Sequence, residues 1–262
     1  MTSSHGFASV VGVCAAVVLT APAAAPQEVP PTGGGVFREC DACPEMVVMP
    51  GGQLALGRYE VTVGEYEAFA SAAGGGAGGG CYVATSAGWQ PDEPATWRSP
   101  GFSQSDRHPV VCVSWHDAQQ YATWLSRTTG ATYRLPGEGE WGQAARGSGG
   151  GCDVNGADAD LMPYLNRRIG GSWAYPDGDG PSCASSDGSL FTASVGSYGS
   201  NRLGLADMVG NVWEWMDVHG VFRGGSWGTG AKDLHPDAHN AHPPGDRLSN
   251  VGFRVARTLI EP

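Results

Sequence analysis

Glycine and proline set the terms for this chain. With 42 glycines and 18 prolines among 262 residues, turns and backbone breaks recur faster than long helices or long strands can propagate. Only 16% of residues are charged, and the result is a loop-rich, turn-rich globule rather than a helical bundle or a disordered tail. A hydrophobic content of 41% and nine tryptophans can fill a sizeable core. Nothing reads as an interdomain linker, so one large domain is expected. A formal net charge of −11, with no Lys/Arg cluster to offset it, argues against nucleic-acid partners. Excess carboxylate suits divalent cations, but composition does not separate metal ligands from a solvated acidic surface.

The N-terminus reads as an export signal. Phe7 to Leu19 is apolar and too short to span a bilayer comfortably, and Ala21-Pro22-Ala23 follows as a small-x-small cleavage pattern. The expected organisation is a signal peptide over 1–23, a flexible segment over 24–43 and one domain over 44–258. It places the protein outside the cytoplasm, periplasmic or secreted, with no membrane span in the mature chain. Removing the signal, and Cys14 with it, leaves Cys40, Cys43, Cys81, Cys112, Cys152 and Cys183. An even count in an exported chain points to disulfides, although sequence does not choose the connectivity. The expectation adopted is the sequential set, Cys40 with Cys43, Cys81 with Cys112 and Cys152 with Cys183.

The clearest elements are two helices, each opened by a capping box: Thr62 to Glu65, and Ser114 to Asp117. The first buries Val63, Tyr66, Phe69 and Ala70 and dissolves in the glycine run 74–80. The second buries Ala118, Tyr121, Ala122 and Leu125 and stops at Gly130. Met46–Met49 and Leu54–Tyr59 form a hairpin around Pro50-Gly51-Gly52. A brief strand over 133–136 precedes a third helix over 138–146, weakened by its internal glycines. Residues 147–188 read as a long ordered loop, and short strands are expected at 193–198, 212–216, 221–223 and 252–256. Helices early and strands late imply an α+β domain.

Several short motifs stand in order along this chain: Val110-Val111-Cys112-Val113-Ser114-Trp115, Tyr133-Arg134-Leu135-Pro136, Glu140-Trp141, Gly204-Leu205-Ala206-Asp207-Met208, Gly210-Asn211-Val212-Trp213-Glu214-Trp215, Arg223-Gly224-Gly225-Ser226-Trp227 and Gly252-Phe253-Arg254. Together they resemble the sulfatase-modifying-factor family, whose best-known members are formylglycine-generating enzymes. The resemblance implies a C-type-lectin-like fold stabilised by calcium. Matched position by position, one calcium site falls on Asn155, Gly156, Asp187 and Ser189, and a second on Val209, Gly210, Val212 and Glu214. Hard oxygen donors of this kind suit Ca²⁺.

The family's oxidation of a cysteine to formylglycine uses a copper-binding thiol pair within the segment that here runs from Gly225 to Gly252. That segment contains no cysteine. The first thiol would fall near Thr229, and a hydroxyl does not hold Cu(I) as a thiolate does. Copper and iron are therefore not expected. In place of the thiols stands His235-Pro236-Asp237-Ala238-His239-Asn240-Ala241-His242. If extended, His235, Asp237 and His239 would share one face and could form a two-His, one-carboxylate metal site. Asp207 and Glu214 make a close carboxylate pair without an accompanying sugar-cleft signature, and no independent catalytic motif appears. The leading expectation is an exported, calcium-stabilised, non-catalytic module binding a protein or small-molecule ligand through the loop Gly228–Ser249, with Trp227, His235, His239, His242 and Arg247 as first contacts. The competing expectation is a sulfatase-modifying oxidoreductase working through an altered metal site.

Overall fold

The structure is a computed structural model that describes Met1 and residues 35–150, 153–175, 179–184 and 186–259. The expected signal peptide, but for Met1, and Cys152 lie outside the described residues. The domain starts earlier than expected. Val36–Phe37 (β1) pairs antiparallel with Met46–Val48 (β2), and a Cys40–Cys43 disulfide fastens the intervening turn. Residues 35–43 are thus part of the fold, held by pairing and a covalent bond rather than left as a lead-in.

The main sheet has the order β1-β2-β3-β11-β6, with β3 at Leu54–Gly57, β6 at Thr132–Arg134 and β11 at Ala256–Thr258. The predicted hairpin is its centre: Met49 N–H donates to Leu54 O at 2.8 Å across the turn, where Gly51 and Gly52 take φ of 99° and 71°. The chain's last strand inserts between β3 and β6, so the two termini of the domain close one sheet.

Both predicted capping boxes form. Helix α1 (Val63–Ala73) runs from Thr62 to a left-handed Gly74, and α2 (Trp115–Thr129) from Ser114 to a left-handed Gly130. Tyr66 and Phe69 of α1 meet Tyr121 of α2 and Phe253 in a cluster with ring centroids 5.2–6.4 Å apart. Helix α3 (Glu138–Ala145) forms despite its glycines because Trp141, Ala144 and Ala145 are buried against Val47, Leu56 and Met208. Tertiary burial overrides weak propensity here.

A second sheet, β10-β7-β8-β9, carries Trp213–Trp215 (β7), Val221–Arg223 (β8), His239–Ala241 (β9) and Val251–Gly252 (β10). The predicted strand 252–256 is instead split between β10 and β11, with Phe253, Arg254 and Val255 buried between them. Cys81–Thr85 (β4) and Gly88–Asp92 (β5) form a separate hairpin tied to the body by the Cys81–Cys112 disulfide. Cys183 is also disulfide-bonded.

Two expectations fail locally. Residues 193–198 form no strand: Gly196 takes φ of 79°, and Ser197 and Gly199 N–H close turns back onto Ser194 and Gly196. The long loop contains a helix, α4 (Leu161–Arg168), whose Leu161 and Leu165 are buried. Asp158 starts it by accepting from Asp160 and Leu161 N–H at 2.9 and 3.0 Å.

Candidate functional site

The segment Arg223–Trp227 leaves the second sheet through two glycines. Gly224 and Gly225 hold φ of 102° and 80°, and a Cβ on Gly224 would lie 3.0 Å from the Trp141 ring. This turn sends Ser226 and Trp227 inward. Trp227 is 1% exposed and packs edge-on against Phe191 and Phe102 at 4.9 and 5.8 Å. Its predicted contact role is therefore largely a scaffold role, although it also lines a cavity of about 540 Å³.

The cavity lies between α4, the Gly228–Asn240 loop and the sheet. Its walls are aromatic, from Trp89, Trp173, Tyr175, Trp213 and Trp227, and Asp179, Asp233 and Asp237 add carboxylates. His235 and His239, expected as first contacts, line it. His242 faces a smaller adjoining cavity, with Nδ1 2.8 Å from Asp246 Oδ2. Arg247 lines neither cavity; it donates to both carboxylate oxygens of Asp117, at 2.8 and 3.2 Å, and so braces the start of α2.

The extended His-Asp-His face does not form. Only residues 239–241 are strand, while Asp237 N–H donates to His235 Nδ1 at 3.2 Å and Ala238 N–H to His235 O at 3.0 Å. Pro236 inside this turn is incompatible with a regular strand interior. Among the described residues no three His, Cys, Asp or Glu side chains gather as a metal cluster.

The first expected calcium set does converge. Asp187 accepts from Gly156 N–H at 3.3 Å and Ser189 N–H at 2.9 Å. Burial raises the Asp187 carboxyl above its ordinary range, and the nearby Asp158 raises it further. Asn155 is 1% exposed, and its Oδ1 has no hydrogen-bond partner. A buried acceptor without a donor beside a carboxylate is the arrangement a hard cation satisfies.

The second set is built differently from the expectation. Glu214 is 1% exposed and engaged on both oxygens: Oε1 accepts from Arg254 Nη2 at 2.6 Å, and Oε2 from Arg254 Nε and Trp141 Nε1, each at 2.7 Å. Glu60, also buried, has no N–H or hydroxyl donor on its carboxyl oxygens, and its carboxyl meets that of Asp207. Burial pushes Glu60 well up, with the charge of Asp207 adding to it, and burial pushes Asp207 up to about 6. Three carboxyls thus face one guanidinium. Any cation here would draw on Glu60 and Asp207 as well as on the expected positions. Val209 and Val212 are buried beside it, and Gly210, at φ 85°, has no room for a Cβ, which would lie 2.4 Å from Asn155 O.

The whole of this scaffold matches one family. Residues 32–259 fit the sulfatase-modifying factor enzyme 1-like domain. The chain belongs to that family. Over 195 residues it is 35% identical to the formylglycine-generating enzyme of Streptomyces coelicolor, covering 62% of this chain and 58% of that one. Over 199 residues it is 32% identical to the inactive C-alpha-formylglycine-generating enzyme 2 of Mus musculus, covering 66% and 58%. The chain thus spans 58% of the length of these two curated relatives. PvdO from Pseudomonas aeruginosa superposes with a TM-score of 0.65 at 28% identity, covering 86% of this chain and 98% of that one.

Among the described residues of this sulfatase-modifying-factor scaffold there is no free thiol to bind Cu(I). Every cysteine among the described residues is disulfide-bonded. Thr229, where the resemblance places the first thiol, is 8% exposed, and its Oγ1 accepts from Ser226 N–H at 2.9 Å. Hydroxyls are hard donors, so these residues do not fit copper. Sequence reasoning missed Glu60, Trp89, Trp173, Tyr175, Asp179 and Asp233 as site residues. None sits in a recurring motif, and the long loop holding three of them offered no periodicity. Among the described residues no helix is long and apolar enough to cross a membrane.

Proposed function

We propose that this domain is a non-catalytic binding module of the sulfatase-modifying-factor family, with the aromatic-walled cavity beside Trp227 as its recognition site. The observation that carries this reading is the cavity itself: a formed site of about 540 Å³ with no cysteine among the described residues that line it. Pockets of roughly 300–1,000 Å³ with apolar walls and a few convergent polar groups are typical of ligand sites. The relatives include both formylglycine-generating enzymes and a protein named as inactive. A family scaffold without thiol donors belongs with the latter in its chemistry.

Calcium is proposed as a structural cofactor. Asn155, Gly156, Asp187 and Ser189 would hold one ion; at the second expected set, Val209, Gly210, Val212 and Glu214, the Arg254 guanidinium already occupies both oxygens of Glu214. The ion's contribution is charge neutralisation of buried oxygens; the cavity's side chains do the binding. Export is proposed from the N-terminal signal pattern, and the disulfides Cys40–Cys43 and Cys81–Cys112 suit an oxidising compartment.

The decisive test of inactivity is oxygen uptake with a cysteine-containing sulfatase-type peptide and added copper or iron. Uptake at the no-protein blank is expected. Peptide-dependent turnover, with formylglycine in the product, would reverse the assignment in favour of an oxidoreductase with an altered metal site.

A further inference from the structure

We infer that the cavity takes an organic cation, a ligand bearing an ammonium or guanidinium group; this rests on the reading of the cavity as a recognition site. The walls are set before any ligand arrives. Trp89 meets Trp173 edge-on at 6.3 Å and Trp227 at 5.8 Å, and Trp227 is itself fixed by Phe102 and Phe191. Aromatic faces attract cations through their quadrupole when the charge lies within about 6 Å.

Charge points the same way. Asp179, Asp233 and Asp237 line the cavity, and among the described residues no Lys or Arg does. Asp179 is held in place: its Oδ1 accepts from Gly180 N–H at 2.8 Å and from the backbone N–H of Lys232 at 3.1 Å. The loop makes room for it, since a Cβ on Gly230 would lie 2.2 Å from Asp179 Oδ2. An anion entering here would meet three carboxylates, and the chain's net charge of −11 repels anions and draws cations at longer range.

Size limits the class of ligand. A volume of about 540 Å³ is far more than a bare metal ion fills and matches a ligand of amino-acid to oligopeptide size.

The test is tryptophan fluorescence titration of the calcium-loaded domain. The probes are agmatine, acetyl-Gly-Arg-Gly-amide, and the same tripeptide with Gln or Glu in place of Arg. The Arg peptide is expected to bind at least about tenfold tighter than the Gln and Glu peptides. Asp179→Asn and Asp237→Asn should each weaken it roughly two- to fivefold, with an unchanged melting temperature. Agmatine binding as tightly as the Arg peptide would identify a free amine as ligand; a clear preference for the peptide would identify a basic peptide segment. Equal binding of the Gln or Glu peptide, or no effect of either Asp→Asn variant, overturns the cation assignment while leaving the recognition cavity in place. If no probe of any charge binds, both readings fall.

Discussion

Arg254→Met probes the fully buried ion pair with Glu214. Arg254 is 0% exposed and donates to both oxygens of Glu214 at 2.6 and 2.7 Å, to Gly57 O at 2.9 Å and to Ala206 O at 3.0 Å. Methionine fills much of the volume but leaves those carbonyls without donors, and Glu214 with only Trp141 Nε1. It also removes the one cation facing Glu60 and Asp207. Removing one partner of a buried pair costs about 3–5 kcal/mol, because the other charge stays buried and unpaired. Total stabilities of about 5–15 kcal/mol make that a large fraction. The assay is equilibrium urea unfolding followed by tryptophan fluorescence, with disulfides intact and calcium chelated. Paired substitution of Arg254→Met with Glu214→Leu should cost less than the two single changes summed. Asp207 and Glu60 add a pH signature in the chelated wild type. Their folded-state pKa values lie above those of the unfolded chain, so they favour folding at low pH, and that contribution is lost as pH rises through about 6 for Asp207. Stability should therefore fall across that window. A loss below about 1 kcal/mol for Arg254→Met, or strict additivity in the double variant, would refute the reasoning.

Two further outcomes follow from the same structure. Calcium should raise the melting temperature and EGTA should reverse it; Asp187→Asn should reduce the calcium-dependent increment, and identical melting with and without calcium removes the ion from the scaffold. Gly139→Ala should stabilise the domain by roughly 0.5–1 kcal/mol, because Gly139 lies inside α3 and nothing stands within 4 Å of an added Cβ; urea midpoints decide this, and a loss of stability would show that the glycine has a backbone role.

The regular elements were legible wherever a local signal decided them. The two capping boxes fix α1 and α2 through hydrogen bonds three residues apart, and a Pro-Gly-Gly turn fixes the β2–β3 hairpin. The missed elements depend on distant partners. Strand β9 exists because Val221–Arg223 offers it an edge, and β1 because β2 does. Helix α4 had a readable start in Asp158 and a Leu161–Leu165 pair, but its glycine-rich and aspartate-rich surroundings masked a two-turn pattern. Among the proposed site residues, Asn155 and Asp187 come from the family resemblance. Glu60 does not, because only the fold brings it to Arg254, far along the chain.

The motifs that look most functional turn out to be structural pegs. Glu214 and Arg254 hold each other, and Gly252 is needed because a Cβ there would lie 2.4 Å from Val110 O. Gly224 and Gly225 turn the chain so that Trp227 can close the floor of the cavity. These residues remain necessary to the fold whether or not a thiol follows them. The residues proposed to face a ligand obey the opposite logic: Asp233 and Asp237 sit on a loop outside the sheets. Thr229, where the family resemblance expects the first thiol, keeps its turn by accepting the Ser226 N–H, and Ser226 is fully buried beneath it. On the proposed reading the thiol pair is separable from the scaffold, and a cavity lined with aromatic rings and carboxylates is what this scaffold presents beside Thr229.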